Sequence, residues 1–256
     1  MTDDWIIETK GLTKEFKGFV AVRGVDLRIR RGSIHALIGP NGAGKTTCFN
    51  LITRFLPATS GRISYNGRDI THSDPADIAR LGLVRSFQIS AVFLNMTVRE
   101  NIRVALQRKL GTSFHFWKKE SSLDRLNGRA AELADSVGIA EFLDSPAAAL
   151  SYGRKRALEI ATTLALEPEM LLLDEPMAGL GREDIERITQ LIRRIAAGRT
   201  VLMVEHNLQV VAALSNSITV LARGEVLAEG DYQTISNHPQ VIEAYMGTSQ
   251  PEAAHG

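Results

Sequence analysis

The stretch that decides the fold is Ser33-Ile-His-Ala-Leu-Ile-Gly-Pro-Asn-Gly-Ala-Gly-Lys-Thr46. Its first half is dense in apolar residues, Ile34, Ala36, Leu37 and Ile38, as a strand buried on both faces is. Its second half, Gly39 to Thr46, fits the spacing G-x-x-x-x-G-K-[ST], and a helical run follows from Thr47 to about Leu56, ahead of Pro57. Four fixed positions at ordinary composition arise by chance in about one chain in a hundred of this length. The segment Gly39, Pro40, Asn41, Gly42, Ala43, Gly44, Lys45, Thr46 and Thr47 therefore reads as an anion cradle. Backbone N–H groups and a helix N-terminus surround phosphate oxygens, with glycine wherever the backbone has to come close. Lys45 would reach β- and γ-phosphates and Thr46 would put its hydroxyl on Mg²⁺.

Upstream, Ile6–Glu8, Val20–Val22 and Val25–Ile29 read as short strands, the last alternating through Val25, Leu27 and Ile29 as a half-buried antiparallel strand does. Downstream, Ile63–Tyr65 and Arg68–Ile70 flank Asn66-Gly67, a pair that takes the positive φ angles of a tight hairpin turn. From Val98 to Leu150 the pattern is mostly helical, interrupted over Gln107–Gly128 by Gly111, Ser113 and the cluster Phe114, Phe116 and Trp117. Arg99 to Arg129 holds eight basic and three acidic residues. This stretch reads as solvated helix faces around a surface insertion, the alternative being a contact surface for a partner or membrane headgroups.

The second half alternates helix and strand: helix Arg156–Leu166, strand Met170–Leu173, helix Arg182–Ala197 closed by Gly198, strand Val201–Val204. Helices alternating with buried strands imply a mainly parallel sheet covered on both faces, an α/β fold. Met170-Leu-Leu-Leu-Asp174-Glu175 delivers two carboxylates to the end of a buried strand, where ligands of parallel sheets bind. Asp174 suits a Mg²⁺-associated carboxylate, and Glu175 could polarise an attacking water as general base. His206 follows another buried strand and would emerge at the same edge if the strands are parallel, in reach of a γ-phosphate. Gln88 ends a further short strand. In Leu150-Ser151-Tyr152-Gly153-Arg154-Lys155-Arg156, Ser151 can cap the following helix and Gly153 lets backbone N–H groups approach a ligand.

Composition sets the outer limits. The chain has 256 residues, 44% hydrophobic and 23% charged, and 30 Lys+Arg against 29 Asp+Glu give a net charge of +1. That balance offers no footprint for a nucleic-acid backbone. Cys48 is the single cysteine, so no intramolecular disulfide and no multi-cysteine metal site can form, which fits a reducing cytoplasm. The start, Met-Thr-Asp-Asp-Trp, lacks a basic region followed by an apolar core, and no apolar run approaches the roughly 20 residues of a membrane span.

Taken together, these motifs resemble the ATP-binding-cassette (ABC) ATPases over nearly the whole chain. The resemblance implies a P-loop NTPase of ABC type with a mainly parallel core sheet, an N-terminal antiparallel β subdomain and an inserted α-helical subdomain. It implies one domain over 1–246, with a core lobe of about 1–88 and 157–235, a helical subdomain of about 89–156 and a flexible tail at 247–256. It further implies that Phe16 stacks on adenine, that Gln88 joins Thr46 and Asp174 around Mg²⁺, and that Glu175, His206 and Lys45 act on ATP. Ala178–Gly181 corresponds to the D-loop. In such a dimer each P-loop faces Ser151 and Gly153 of the other subunit. Tyr152 and Arg154 stand where the family has Gly and Gln, and Gly181 where it has Asp. Within the family, the segments Arg85-Ser-Phe-Gln88, Asn95–Asn101, Ser151-Tyr-Gly and Val241-Ile-Glu-Ala-Tyr-Met-Gly247 are similar to ATPase subunits of bacterial importers of branched-chain or related hydrophobic amino acids. The partners so implied are a second ATPase subunit, the same or different, integral membrane permeases and, indirectly, a periplasmic binding protein. The expected location is the cytoplasmic face of the cell membrane. The alternatives are the ATPase of a urea importer, a lipopolysaccharide-export ATPase, and a non-transport ABC protein.

Overall fold

The computed structural model describes residues 4–86, 92–109 and 126–246. The chain divides into two compact units, residues 1–81 with 196–256, and residues 82–195.

The first unit begins with an antiparallel sheet. Strand β1 (Trp5–Phe16) pairs with β2 (Phe19–Val25) over its second half, with β3 (Arg28–Arg30) over its first, and with β5 (Ser60–Tyr65), which continues to β6 (Arg68–Asp69). The expected single strand Val25–Ile29 is thus broken in two. The cause is side-chain chemistry at the crossing: the Asp26 carboxylate accepts the Gly11 N–H at 2.6 Å, and Thr9 Oγ1 accepts the Leu27 N–H at 2.9 Å while donating to the Val25 carbonyl at 2.8 Å. The Asn66-Gly67 turn forms as its residues require, with φ of 51° and 74°.

Strand β4 (Ile34–Ile38) is buried at every position and pairs in parallel with β9 (Thr200–Val204), equally buried, and with β10 (Ser217–Ala222), while β11 (Glu225–Gly230) closes that edge antiparallel. Continuous apolar strands of this kind are stable only with both faces covered. Helix α1 (Lys45–Ile52) follows β4; it stops short of Leu56, at Thr53, because Arg54 turns to a positive φ of 60°. The unit is completed by α2 (Pro75–Arg80), α7 (Leu208–Leu214), α8 (Tyr232–Ser236) and α9 (Pro239–Met246).

In the second unit, β7 (Leu83–Arg85) and β8 (Met170–Asp174) pair in parallel, with Leu83 beside Met170 and Arg85 beside Leu172. Between them in sequence lie the helices α3 (Val98–Lys109), α4 (Asn127–Ser136) and α5 (Tyr152–Leu164), and α6 (Arg182–Ile195) follows β8. Helix α5 starts at its Ser151 cap, four residues before the apolar periodicity becomes visible in the sequence. The chain is thus an α/β fold in which β4, β7, β8, β9 and β10 pair in parallel, preceded by antiparallel strands and interrupted by helices. No helix among the described residues is long and apolar enough to cross a membrane. The insertion centre around Trp117, Gln88 and the tail from Gly247 lie outside the described residues.

Candidate functional site

In the first unit, the loop after β4 is shaped by two glycines that tolerate no side chain. A Cβ on Gly39 would lie 2.1 Å from the Leu221 carbonyl oxygen, and one on Gly44 would lie 2.5 Å from that of Ala21. Gly42, at φ +75°, faces open space and serves the conformation alone. The loop leads into α1 with Gly44 at the cap position and no side-chain cap, the setting in which a helix N-terminus can receive an anion. The buried Lys45 ammonium reaches back across the loop and donates to the carbonyls of Gly39 at 2.7 Å and Pro40 at 2.9 Å. Thr46 is exposed and Thr47 half-buried at the first turn of α1, and Asn41 and Gly42 form the open rim. Cys48, on the next turn, is buried and its thiol is pushed up to about 12, which leaves it unreactive.

His206 follows β9. The parallel register places Leu37 of β4 beside Val204 of β9, so the His206 turn leaves the sheet at the edge that carries the loop. The turn is fixed by a residue the sequence reading passed over: the buried Glu205 carboxylate accepts the N–H groups of His206 at 3.0 Å and Asn207 at 3.1 Å. Asn207 in turn caps α7. Phe16 closes β1 at a two-residue turn, exposed, with the Lys14 ammonium 5.1 Å from its ring centroid. A second residue without a sequence signal is Tyr245 of α9, whose hydroxyl oxygen accepts the Gly39 N–H. Burial raises this phenol above the usual tyrosine value, with the Gly39 bond working against that shift.

The second unit carries the carboxylates. Asp174 ends β8, and its Oδ2 receives the Arg85 guanidinium from β7 at 2.5 Å, both side chains largely buried. Glu175 follows at φ +45°, a left-handed conformation that costs a non-glycine residue about 1–2 kcal/mol. Ser151 caps α5, accepting the Arg154 N–H at 3.4 Å. Gly153 is buried, and the place its side chain would take is filled by Asp184 of α6, 2.3 Å from the position of a Cβ. The two departures from the family pattern near this helix have visible contacts. The Tyr152 hydroxyl lies 3.2 Å from the place a Cβ on Gly179 would take, and the Arg154 guanidinium stacks 4.1 Å from the Phe142 ring centroid. From the same helix, Arg156 and Glu159 form a buried ion pair at 2.5 Å. Burial pushes Glu159 up to about 7, and Arg156 opposes that shift.

Each unit carries an oxygen donor of the kind a magnesium nucleotide takes. Mg²⁺ takes oxygen ligands and is held by one or two protein groups plus substrate phosphates. Thr46 and Asp174 are donors of that kind, and no group of three or more metal-holding side chains occurs among the described residues.

A family model described as ABC transporter matches residues 22–178, and one described as Branched-chain amino acid ATP-binding cassette transporter matches residues 225–250. The chain is 39% identical over 249 residues to the high-affinity branched-chain amino acid transport ATP-binding protein BraF of Pseudomonas aeruginosa, covering 94% of this chain and 98% of that one. It is equally similar, over the same shares, to LivG of Salmonella typhimurium, which bears the same description. An ATP-binding cassette of an ABC transporter solved in its ADP conformation superposes with a TM-score of 0.83 at 30% identity, over 95% of this chain and 99% of that one. A bacterial ABC transporter cassette solved as a dimer gives 0.74 at 26% identity, over 88% and 98%. With the phosphate loop, the carboxylate strand and the histidine turn each on the expected element, the chain belongs to the ABC transporter ATPases, in their branched-chain amino-acid group.

Proposed function

We propose that this chain hydrolyses ATP to drive uptake of branched-chain or related hydrophobic amino acids through separate membrane permeases, working as one member of an ATPase dimer at the cytoplasmic face of the membrane. The observation that carries the reading is the loop after β4, whose Gly39 and Gly44 admit no side chain and whose Lys45 is already drawn over it. The match of residues 225–250 to the branched-chain model favours this solute class over urea or lipopolysaccharide.

In this reading the N–H groups at the start of α1 and Lys45 bind the phosphates, and Phe16 stacks on the adenine. Thr46, Asp174 and Gln88 hold Mg²⁺, which supplies charge neutralisation on the phosphate oxygens. Glu175 takes a proton from the attacking water, and Lys45 and His206 stabilise charge on the transferred group. Ser151 and Gly153 serve the nucleotide on the partner's loop. The core lobe is about 1–88 and 157–235 and the helical subdomain about 89–156.

The test is ATP hydrolysis by the full chain and its Lys45→Ala and Glu175→Gln variants, alongside binding of a fluorescent ATP analogue. Lys45→Ala is expected to lose binding. Glu175→Gln is expected to bind and to hydrolyse roughly 10²–10⁴-fold more slowly. Undiminished turnover in Glu175→Gln removes that residue from the role, and undiminished binding in Lys45→Ala removes the phosphate-loop reading.

A further inference from the structure

Six non-glycine residues among those described have a positive φ. Lys17, Asn66 and Arg223 each precede a glycine in a two-residue hairpin turn, and Arg54 and Glu167 follow the ends of α1 and α5. Glu175 has neither setting. It stands at the end of a buried strand, and a strained residue there persists only where its surroundings fix it.

Besides the Ala178 N–H, which donates to the Glu175 carbonyl at 3.0 Å, one buried side chain brackets the residue. The Arg156 guanidinium donates through Nη2 to the Asp174 carbonyl at 3.1 Å and through Nε to the Pro176 carbonyl at 3.2 Å, the carbonyls of the residues before and after Glu175. Its Nη1 is held by Glu159 Oε2 at 2.5 Å. Arg156 and Glu159 are 5% and 1% exposed, and the other Glu159 oxygen has no hydrogen-bond partner. A buried charge pair one turn past the Ser151 cap contributes little to stability by itself. Its planar donors are nevertheless what two diverging carbonyls and a carboxylate require together, and a lysine could not supply them.

We infer that Arg156, oriented by Glu159, is the positioning residue for Glu175, holding the backbone on both sides of it and tying its placement to the helix that begins at Ser151. The inference rests on Glu175 being the general base. Its consequence is that a displacement of the start of α5 is passed to the backbone around Glu175 by the Arg156 guanidinium.

The experiment measures kcat, KM and analogue binding in the full chain for Arg156→Gln, Arg156→Lys, Glu175→Gln and the Arg156→Gln/Glu175→Gln pair, with thermal unfolding as a check on folding. Arg156→Gln is expected to lower kcat about tenfold or more, leaving KM and analogue affinity within about threefold, the split expected when only a transition-state interaction is lost. The double variant is expected to be no slower than Glu175→Gln, because residues acting through one another are not additive. A merely structural role would multiply the two losses, and that result overturns the inference. If Arg156→Gln fails to fold, Arg156→Lys decides: intermediate kcat supports the inference and full kcat overturns it. Full activity in Glu175→Gln would instead refute the general-base reading, a separate outcome.

Discussion

The Arg85 guanidinium sits on Asp174 Oδ2 at 2.5 Å, joining neighbouring parallel strands at the carboxylate assigned to magnesium. In the reading proposed above, Arg85 and Mg²⁺ would both draw on the same carboxylate. Removing one partner of a fully buried pair costs about 3–5 kcal/mol, and exposures of 15% and 11% reduce that here. Arg85→Ala is expected to melt at a lower temperature without metal and to recover more than the wild type when Mg²⁺-ATP is added. Melting curves with ATP plus EDTA and with Mg²⁺-ATP check this; equal gains in both proteins would show that Arg85 does not compete with the cation.

The loop glycines separate into two kinds. Gly42→Ala meets open space and bears only the left-handed conformation, about 1–2 kcal/mol. Gly39→Ala would drive a methyl group into the Leu221 carbonyl and displace the loop. Analogue binding is expected to survive the first change and to be lost in the second, with circular dichroism confirming that both fold.

Tyr245 links the C-terminal helix to the same loop. Tyr245→Phe leaves the Gly39 N–H without its acceptor, a loss of about 1–3 kcal/mol for a buried donor. The variant is expected to unfold at lower urea concentration and to bind the ATP analogue more weakly. Unchanged values for both would mean that another acceptor replaces the phenol.

His35 gives a dependence on pH. It is buried in β4 with its Nε2 2.8 Å from Thr219 Oγ1, and burial lowers it to about 4 from an ordinary value of 6.5. Between these values the unfolded chain takes up a proton that the folded chain refuses. Stability is therefore full above about 6.5 and declines as pH falls toward 4, by on the order of 3 kcal/mol. Urea midpoints across this range should fall less steeply in His35→Gln than in the wild type; parallel slopes would remove His35 from the acid response.

Much of the fold is legible in local pattern. The dense apolar runs of β4, β8 and β9 and the helical period of α6 give the parallel strands and their covering. The loop spacing places Lys45 and Thr46, and parallel register then carries His206 to the same edge. What escapes local reading is long-range. The break at Asp26–Leu27 depends on Thr9 and Gly11, fifteen or more residues away, and Arg85 meets Asp174 across 89 residues. Arg156 reads as a helix surface charge until the Asp174 and Pro176 carbonyls are seen around it, and Tyr245 as part of a helix end. The roles given to Phe16, Ser151 and Gly153 rest on resemblance, since adenine and the partner's phosphates leave no periodic trace in a sequence.

The contact between Gly153 and Asp184 bears on how loss-of-function variants in this protein are interpreted. A side chain at 153 must displace the Asp184 carboxylate in the first turn of α6 before it can obstruct anything outside the chain. An inactive Gly153 variant therefore confounds a fault in helix packing with one in nucleotide contact. Ser151, exposed and held to Arg154 by one long hydrogen bond, is the position at which the two can be told apart.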